Sequence, residues 1–169
     1  AAFQTTQTNP PLDWSDIEKF RELWPRKMVL KGVMHPKDAE RAHRAGIDGL
    51  MVSNHGARQL DRAPSPVEVL PAIRDAVGDK MTLMLDSGVR RGSDVVTAMC
   101  LGAKFCFMGR MTLYGVAAGG EPMAVRALDI MRNEVDLVMG NMGAPTISSL
   151  GPDFLMWDDE ADLRRNTRP

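Results

Sequence analysis

Leu50-Met51-Val52-Ser53-Asn54-His55-Gly56-Ala57-Arg58-Gln59-Leu60-Asp61 is the stretch of this 169-residue chain whose reading decides the fold. An apolar run stops there at a histidine, with an arginine three residues on. A buried strand that ends in Ser-Asn-His-Gly delivers an imidazole to its carboxyl edge, and His is the side chain whose unperturbed pKa lies nearest neutrality. Arg58 adds a planar positive fork suited to a carboxylate. A lone His at such a place is more often a loop cap, so the neighbours decide.

The same pattern recurs on both sides. Upstream, Ser15 as N-cap, Glu18 three residues later and Ile17, Phe20, Leu23 and Trp24 at helical spacing predict a helix that Pro25 ends. Met28-Val29-Leu30 reads as a strand closed by Lys31-Gly32, and His35 to Gly46 as a charged helix with Pro near its first turn and Gly past its end. Gly49 to Ser53 is the second strand, followed by a helix over Val67 to Val77 with Val69, Leu70, Ile73 and Val77 on one face. Met81 to Leu85 is the third strand, and Gly92 or Ser93 opens a helix through Leu101. Phe105 to Met108 is the fourth strand. Glu121-Pro122 starts a long helix to about Met139, with Val125, Leu128, Ile130, Met131, Val135 and Val138 as its apolar positions, and a short helical turn is expected after Thr146.

Strand followed by helix, four times over, builds a parallel sheet, whose strands are buried on both faces and read as continuous apolar runs. Lys31, Ser53 with His55, Asp86, and Arg110 lie at the carboxyl ends of successive strands. The 24-residue steps from Lys31 to His55 and from Asp86 to Arg110 suit one βα unit each. In β/α barrels the site lies on that carboxyl face, but a full eightfold barrel takes about 250 residues. Four units make half a barrel. Such a sheet exposes two edges and one apolar face, so a partner half is expected, from another chain or from a second copy. The division read from this is residues 1–12 as a flexible arm or loop remnant, 13–150 as the half barrel and 151–169 as a carboxyl-terminal tail.

Bulk properties narrow the function. With 21 Lys plus Arg against 22 Asp plus Glu, nothing in the charge balance favours nucleic acid, and any anion site must be local. The only cysteines, Cys100 and Cys106, sit in apolar stretches and read as reduced core thiols. No metal site is expected from them and the scattered histidines. The 13 methionines read as core packing. No run reaches the roughly 20 apolar residues of a membrane span, and the first eleven residues show no signal-peptide pattern.

Asp86-Ser87-Gly88-Val89-Arg90-Arg91-Gly92 sets two glycines and two arginines where a strand becomes a helix, a geometry in which free N–H groups and the helix dipole receive a phosphate. Phe107-Met108-Gly109-Arg110 repeats the idea one strand later, and phosphate sites after the last two strands recur in β/α barrels. Lys31, taken alone, is a solvated strand end. On the same rim as His55, its ammonium is placed to stabilise an anionic ring or enolate.

Taken together, Leu30-Lys31-Gly32, Ser53 to Asp61, Asp86 to Gly92 and Gly109-Arg110 resemble the carboxyl-terminal half of the FMN-dependent α-hydroxy acid oxidase and dehydrogenase family, which includes glycolate oxidase, flavin-type lactate dehydrogenase and mandelate dehydrogenase. The resemblance runs from about Asp13 to Ser149. It implies a TIM (β/α)8 barrel that binds FMN and oxidises an (S)-2-hydroxy acid, mandelate-like by overall similarity, to the 2-oxo acid. His55 would be the general base and would lie against the flavin, and Arg58 would clamp the substrate carboxylate. Lys31 would stabilise the reduced ring, Ser53 would touch the isoalloxazine, and Asp86 would hold the ribityl chain. Gly88, Arg90, Gly109 and Arg110 would bind the phosphate, while Arg91 is given no contact.

This sequence departs from the family in having Ser87 and Ala57 where glycine is common, and in lacking the first four strands with their aspartate that orients the histidine. The resemblance therefore implies activity only with an amino-terminal half, and a homo-oligomer of the complete enzyme. It implies a cytoplasmic location, or peripheral attachment to the inner membrane through a segment absent here. The competing reading is a catalytically silent half barrel that self-associates or binds a phosphorylated ligand through Arg90 and Arg110.

Overall fold

A computed structural model describes residues 12–156. Four parallel strands, β1 (Val29–Lys31), β2 (Gly49–Val52), β3 (Thr82–Leu85) and β4 (Phe105–Cys106), form one sheet in the order β1-β2-β3-β4. Helices follow each: α2 (Pro36–Arg44), α3 (Pro66–Val77), α4 (Gly92–Cys100) and α5 (Arg110–Met142), with α1 (Trp14–Leu23) ahead of β1. This is the repeated βα order expected from the sequence. The proposed arm falls on residues 1–11, outside those described apart from Leu12, and so does the tail beyond Met156.

Parallel pairing makes cross-strand partners share a face. Leu30 registers with Leu50 and Leu50 with Leu83, while Val52 registers with Leu85 and Leu85 with Cys106. That face meets the helices: Leu50, Val52, Leu83 and Leu85 are buried against Leu70, Ile73 and Val77 of α3 and Ala98 of α4. The opposite row, Lys31, Met51, Met84 and Phe105 in register, is uncovered, and Phe105 is 57% exposed. One buried face and one bare face are what half of a barrel presents.

Local chemistry sets the element ends. Asp13, rather than the expected Ser15, caps α1: its carboxylate accepts from the Ser15 and Asp16 N–H groups, and Asp16 reaches back to the Asp13 N–H. The predicted face of α1 is also shifted. Trp14 and Ile17 pack on the core, with the Arg41 guanidinium 4.8 Å above the Trp14 ring, whereas Phe20, Leu23 and Trp24 are exposed. The helix predicted to follow β1 forms with His35 as its cap and Pro36 in its first turn.

The largest departure lies after β4. Helix begins at Arg110, not Glu121, and breaks at Gly119 and Gly120, the latter at φ 68°. The break folds the two helical runs together so closely that a Cβ on Gly115 would lie 2.6 Å from the Met123 carbonyl. Of the apolar positions predicted beyond the break, only Met131 is buried, and Val125, Leu128 and Ile130 face outward. The helical turn expected after Thr146 is present at Ile147–Ser149. Cys100 and Cys106 are free thiols, and burial pushes Cys106 up to about 11, which leaves it unreactive at neutral pH.

At the amino edge of the sheet Asp48 ties the layers together. It accepts from Lys27, from the Met28 N–H and from Arg21, and these contacts, Lys27 foremost, hold its carboxyl down at about 2.

Candidate functional site

The opposite edge, where the strands end, carries an open cavity of about 800 Å3. Lys31 of β1, His55 and Arg58 beyond β2, Asp86, Gly88 and Arg90 beyond β3, and Gly109 and Arg110 beyond β4 all lie on its wall. Residues 79 positions apart in sequence thus meet because each βα unit delivers its strand end to the same rim.

His55 is held there by a turn of unusual hand. His55, Gly56 and Ala57 have φ values of 58°, 68° and 58°, so three consecutive residues are left-handed, two of them with a Cβ. Such residues are strained and persist only when surrounding groups fix them. Here three side chains do so. Ser53 Oγ accepts from the His55 N–H (3.1 Å), Asn54 Oδ1 from the Gly56 and Ala57 N–H groups (3.0 and 3.3 Å), and Ser87 Oγ from the Gly56 N–H (2.9 Å). The turn lifts the imidazole clear of the sheet, where it is exposed. Ser53 itself is 3% exposed and is not on the cavity wall.

Lys31 and Asp86 meet at 2.8 Å across β2. Burial pushes the Asp86 carboxyl up, but the Lys31 ammonium and the Ser53 and Ser87 hydroxyls outweigh this and hold it below its ordinary 3.8. Asp86 is therefore an anion at neutral pH, and Lys31 keeps half its side-chain surface open to the cavity.

The glycine and arginine loop after β3 is built differently from expectation. The N–H groups of Arg90 and Arg91 both donate to Asp94 Oδ2 (2.8 and 2.9 Å), and that of Gly92 donates to Glu134 Oε2 (2.8 Å). The amino terminus of α4 is thus already satisfied and offers none of these three donors to a phosphate. Glu134 also pairs with Arg91 at 2.8 Å, which turns that side chain away and leaves Arg90 on the cavity. The Arg91 partner explains why two adjacent arginines behave differently. Sequence reading missed Glu134 because its partners lie more than forty residues away; the one local signal is Gly92, where a Cβ would come within 2.5 Å of the Glu134 backbone.

At α5 the reverse holds. No side chain caps its start at Gly109, so the helix N-terminus remains open beside Arg110. A Cβ on Gly56 would sit 3.5 Å from the Arg110 guanidinium, which places that arginine against the His55 turn. Among the described residues, Arg58, Arg90 and Arg110 form no ion pair, and no group of three His, Cys, Asp or Glu side chains is arranged to hold a metal ion.

A cavity at the strand ends of parallel βα units, rimmed by a histidine and unpaired arginines, defines a β/α protein built for an anionic ligand. Comparison with known proteins fixes which. The sequence model of the FMN-dependent dehydrogenases matches residues 1–157, and the chain belongs to that family. It is 43% identical over 152 residues to pre-mycofactocin synthase of Mycobacterium tuberculosis, covering 90% of this chain and 38% of that one. It is 42% identical over 155 residues to (S)-mandelate dehydrogenase of Pseudomonas putida, covering 92% and 39%. The crystal structure of the monotopic membrane protein (S)-mandelate dehydrogenase superposes with a TM-score of 0.86 at 41% identity, over 92% of this chain and 41% of that one. The chain therefore spans about two-fifths of these relatives' length, and its four βα units are part of a TIM barrel. Family members depend on FMN.

Proposed function

We propose that this chain is the carboxyl-terminal half of the barrel of an FMN-dependent 2-hydroxy acid dehydrogenase or oxidase. The observation that carries the reading is the convergence of His55, Arg58, Arg90 and Arg110 on one cavity, with no acidic partner for any of these three arginines among the described residues. Unpaired guanidinium groups beside an uncapped helix start are suited to a phosphate. Arg90, Arg110, Gly88 and Gly109 would hold the FMN phosphate, Asp86 the ribityl chain, and Lys31 and Ser53 the ring region. When bound, FMN supplies the acceptor for the two electrons and the second proton that leave a 2-hydroxy acid as it becomes a 2-oxo acid.

The chain's own groups do the rest. Arg58 pairs with the substrate carboxylate and so fixes which end of the molecule faces His55. His55, oriented by its left-handed turn, takes up one proton from the substrate. An (S)-2-hydroxy acid with an aromatic group is the substrate favoured by the likeness to mandelate dehydrogenase. The bare sheet face and two free strand edges support pairing with an amino-terminal half of the barrel, and the completed enzyme is read as a homo-oligomer in the cytoplasm or held peripherally at a membrane. Among the described residues no helix is long and apolar enough to cross one.

The test is to combine this chain with an amino-terminal half-barrel polypeptide and FMN, record the native mass, and add (S)-mandelate without oxygen. A complex carrying one FMN per barrel, with bleaching of the flavin absorbance, is expected. His55→Gln should retain the flavin and slow bleaching by about 10² to 10⁴. A colourless homodimer that binds phosphate but never bleaches would establish the silent half barrel instead.

A further inference from the structure

Ser87 joins the His55 turn to the Asp86 carboxylate through two short hydrogen bonds from one hydroxyl. Its hydroxyl accepts from the Gly56 N–H at 2.9 Å and donates to Asp86 Oδ1 at 2.7 Å. The direction is forced. An amide N–H only donates and an ionised carboxylate only accepts, so the group between them must do both, and a hydroxyl does. Ser53 Oγ lies 3.5 Å off; it accepts from the His55 N–H and also helps to hold the Asp86 carboxyl down.

Ser87 bears this load in an unfavourable conformation. Its φ of 70° is left-handed, where a Cβ is strained and glycine is at ease. The strain persists although glycine would remove it, and what glycine would remove with it is the hydroxyl. The other contacts that hold the turn, from Ser53 and Asn54, come from its own flank. Ser87 anchors it from the neighbouring strand end, with a direct bond to the Gly56 N–H.

We propose that Ser87 is a positioning residue: its hydroxyl couples the turn carrying His55 to the Asp86 and Lys31 pair, so that the proton-accepting imidazole and the charged end of β3 keep a fixed relation. In its catalytic consequence this rests on the function proposed above; in its structural content it does not. A hydroxyl linking the two ends leaves the imidazole where the substrate proton is presented, and its loss lets the turn swing about its own flank.

Three variants of the full chain separate the hydroxyl from the strain. Ser87→Gly removes both, Ser87→Ala removes only the hydroxyl, and Ser87→Thr keeps the hydroxyl while crowding the backbone. Amide hydrogen exchange at Gly56, read by NMR, should speed up about five- to tenfold in the Gly and Ala variants, the range that loss of one net hydrogen bond gives. Threonine should restore protection. Thermal melting should rank Gly above Ala, so that the more stable variant still has the looser turn, an order that a merely structural serine would not produce. Unchanged Gly56 exchange in both Gly and Ala variants would overturn the proposal, and Ser87→Gly, relieved of strain, is the variant that decides if Ser87→Ala fails to fold.

In the flavin-loaded complex, kcat should fall about tenfold with FMN affinity held within twofold; loss of FMN affinity with kcat intact would overturn the catalytic consequence. Failure of the wild-type complex to bind FMN would sink the proposed function and leave the exchange result standing.

Discussion

Asp86 shows how one side chain is set by its surroundings. Its carboxyl lies below 3.8 when folded because the Lys31 ammonium and two hydroxyls overcome the effect of burial. A folded value below the unfolded one means stability that is present above pH 3.8 and is lost as acid titrates the carboxylate through its lower, folded value. Asp86→Asn should therefore cost about 1 kcal/mol at neutral pH, discounted because Lys31 is half exposed, and progressively less as an acid pH below 3.8 protonates the carboxyl. Urea denaturation at neutral and at acid pH measures the difference. The chemical character of this residue was legible from its place at a strand end. Its partner was not, because Lys31 lies two strands away in an order that only folding brings together.

At the scale of elements, hydrophobic runs bounded by Gly and Pro locate all four strands and the helices after the first three to within a few residues, whereas the last helix starts eleven residues earlier than read. Each strand is buried on its helix side, so its apolar run is continuous enough to read. The segment from Arg110 to Ala118 escaped because Gly119-Gly120 reads as a loop, whereas here the glycines bend one helical run back on another. The start of α4 was misjudged for a different reason. Sequence shows which N–H groups a helix start exposes but not that Glu134 arrives from α5 to take one. That contact makes Gly92 the tightest point between the two helices. Gly92→Ala would put a methyl 2.5 Å from the Glu134 backbone and should destabilise the chain by about 1–3 kcal/mol. Chemical denaturation followed by circular dichroism checks it, and Ser93→Ala next door, exposed, should be near neutral.

The molecule as a whole is a site with one wall in place. Phe105 and Phe107, with ring centroids 4.9 Å apart, stand exposed on the bare face of the sheet, beside the open edge of β4. An apolar face with a free edge associates with whatever completes it. Binding of a hydrophobic dye should be strong for the chain alone, fall on addition of an amino-terminal half barrel, and fall without any partner in Phe105→Ser/Phe107→Ser, with helix content unchanged. Dye binding untouched by the double substitution would show that the bare face lies elsewhere. Half a barrel was readable from the count of βα units, since that many strands cannot close.

The left-handed run at His55, Gly56 and Ala57 has a consequence in terms of chirality. Backbone that turns against the preference of L-residues follows the preference of their mirror images, so the protein contains a short segment whose ideal occupants ribosomes do not supply. A D-alanine at position 57, introduced by chemical ligation, would lie in its own right-hand-equivalent minimum, where glycine gains the same relief only by loosening the unfolded chain. The segment that presents the imidazole is thus, among the described residues, a run of three in which the fold is written in the opposite hand to the amino acids that compose it.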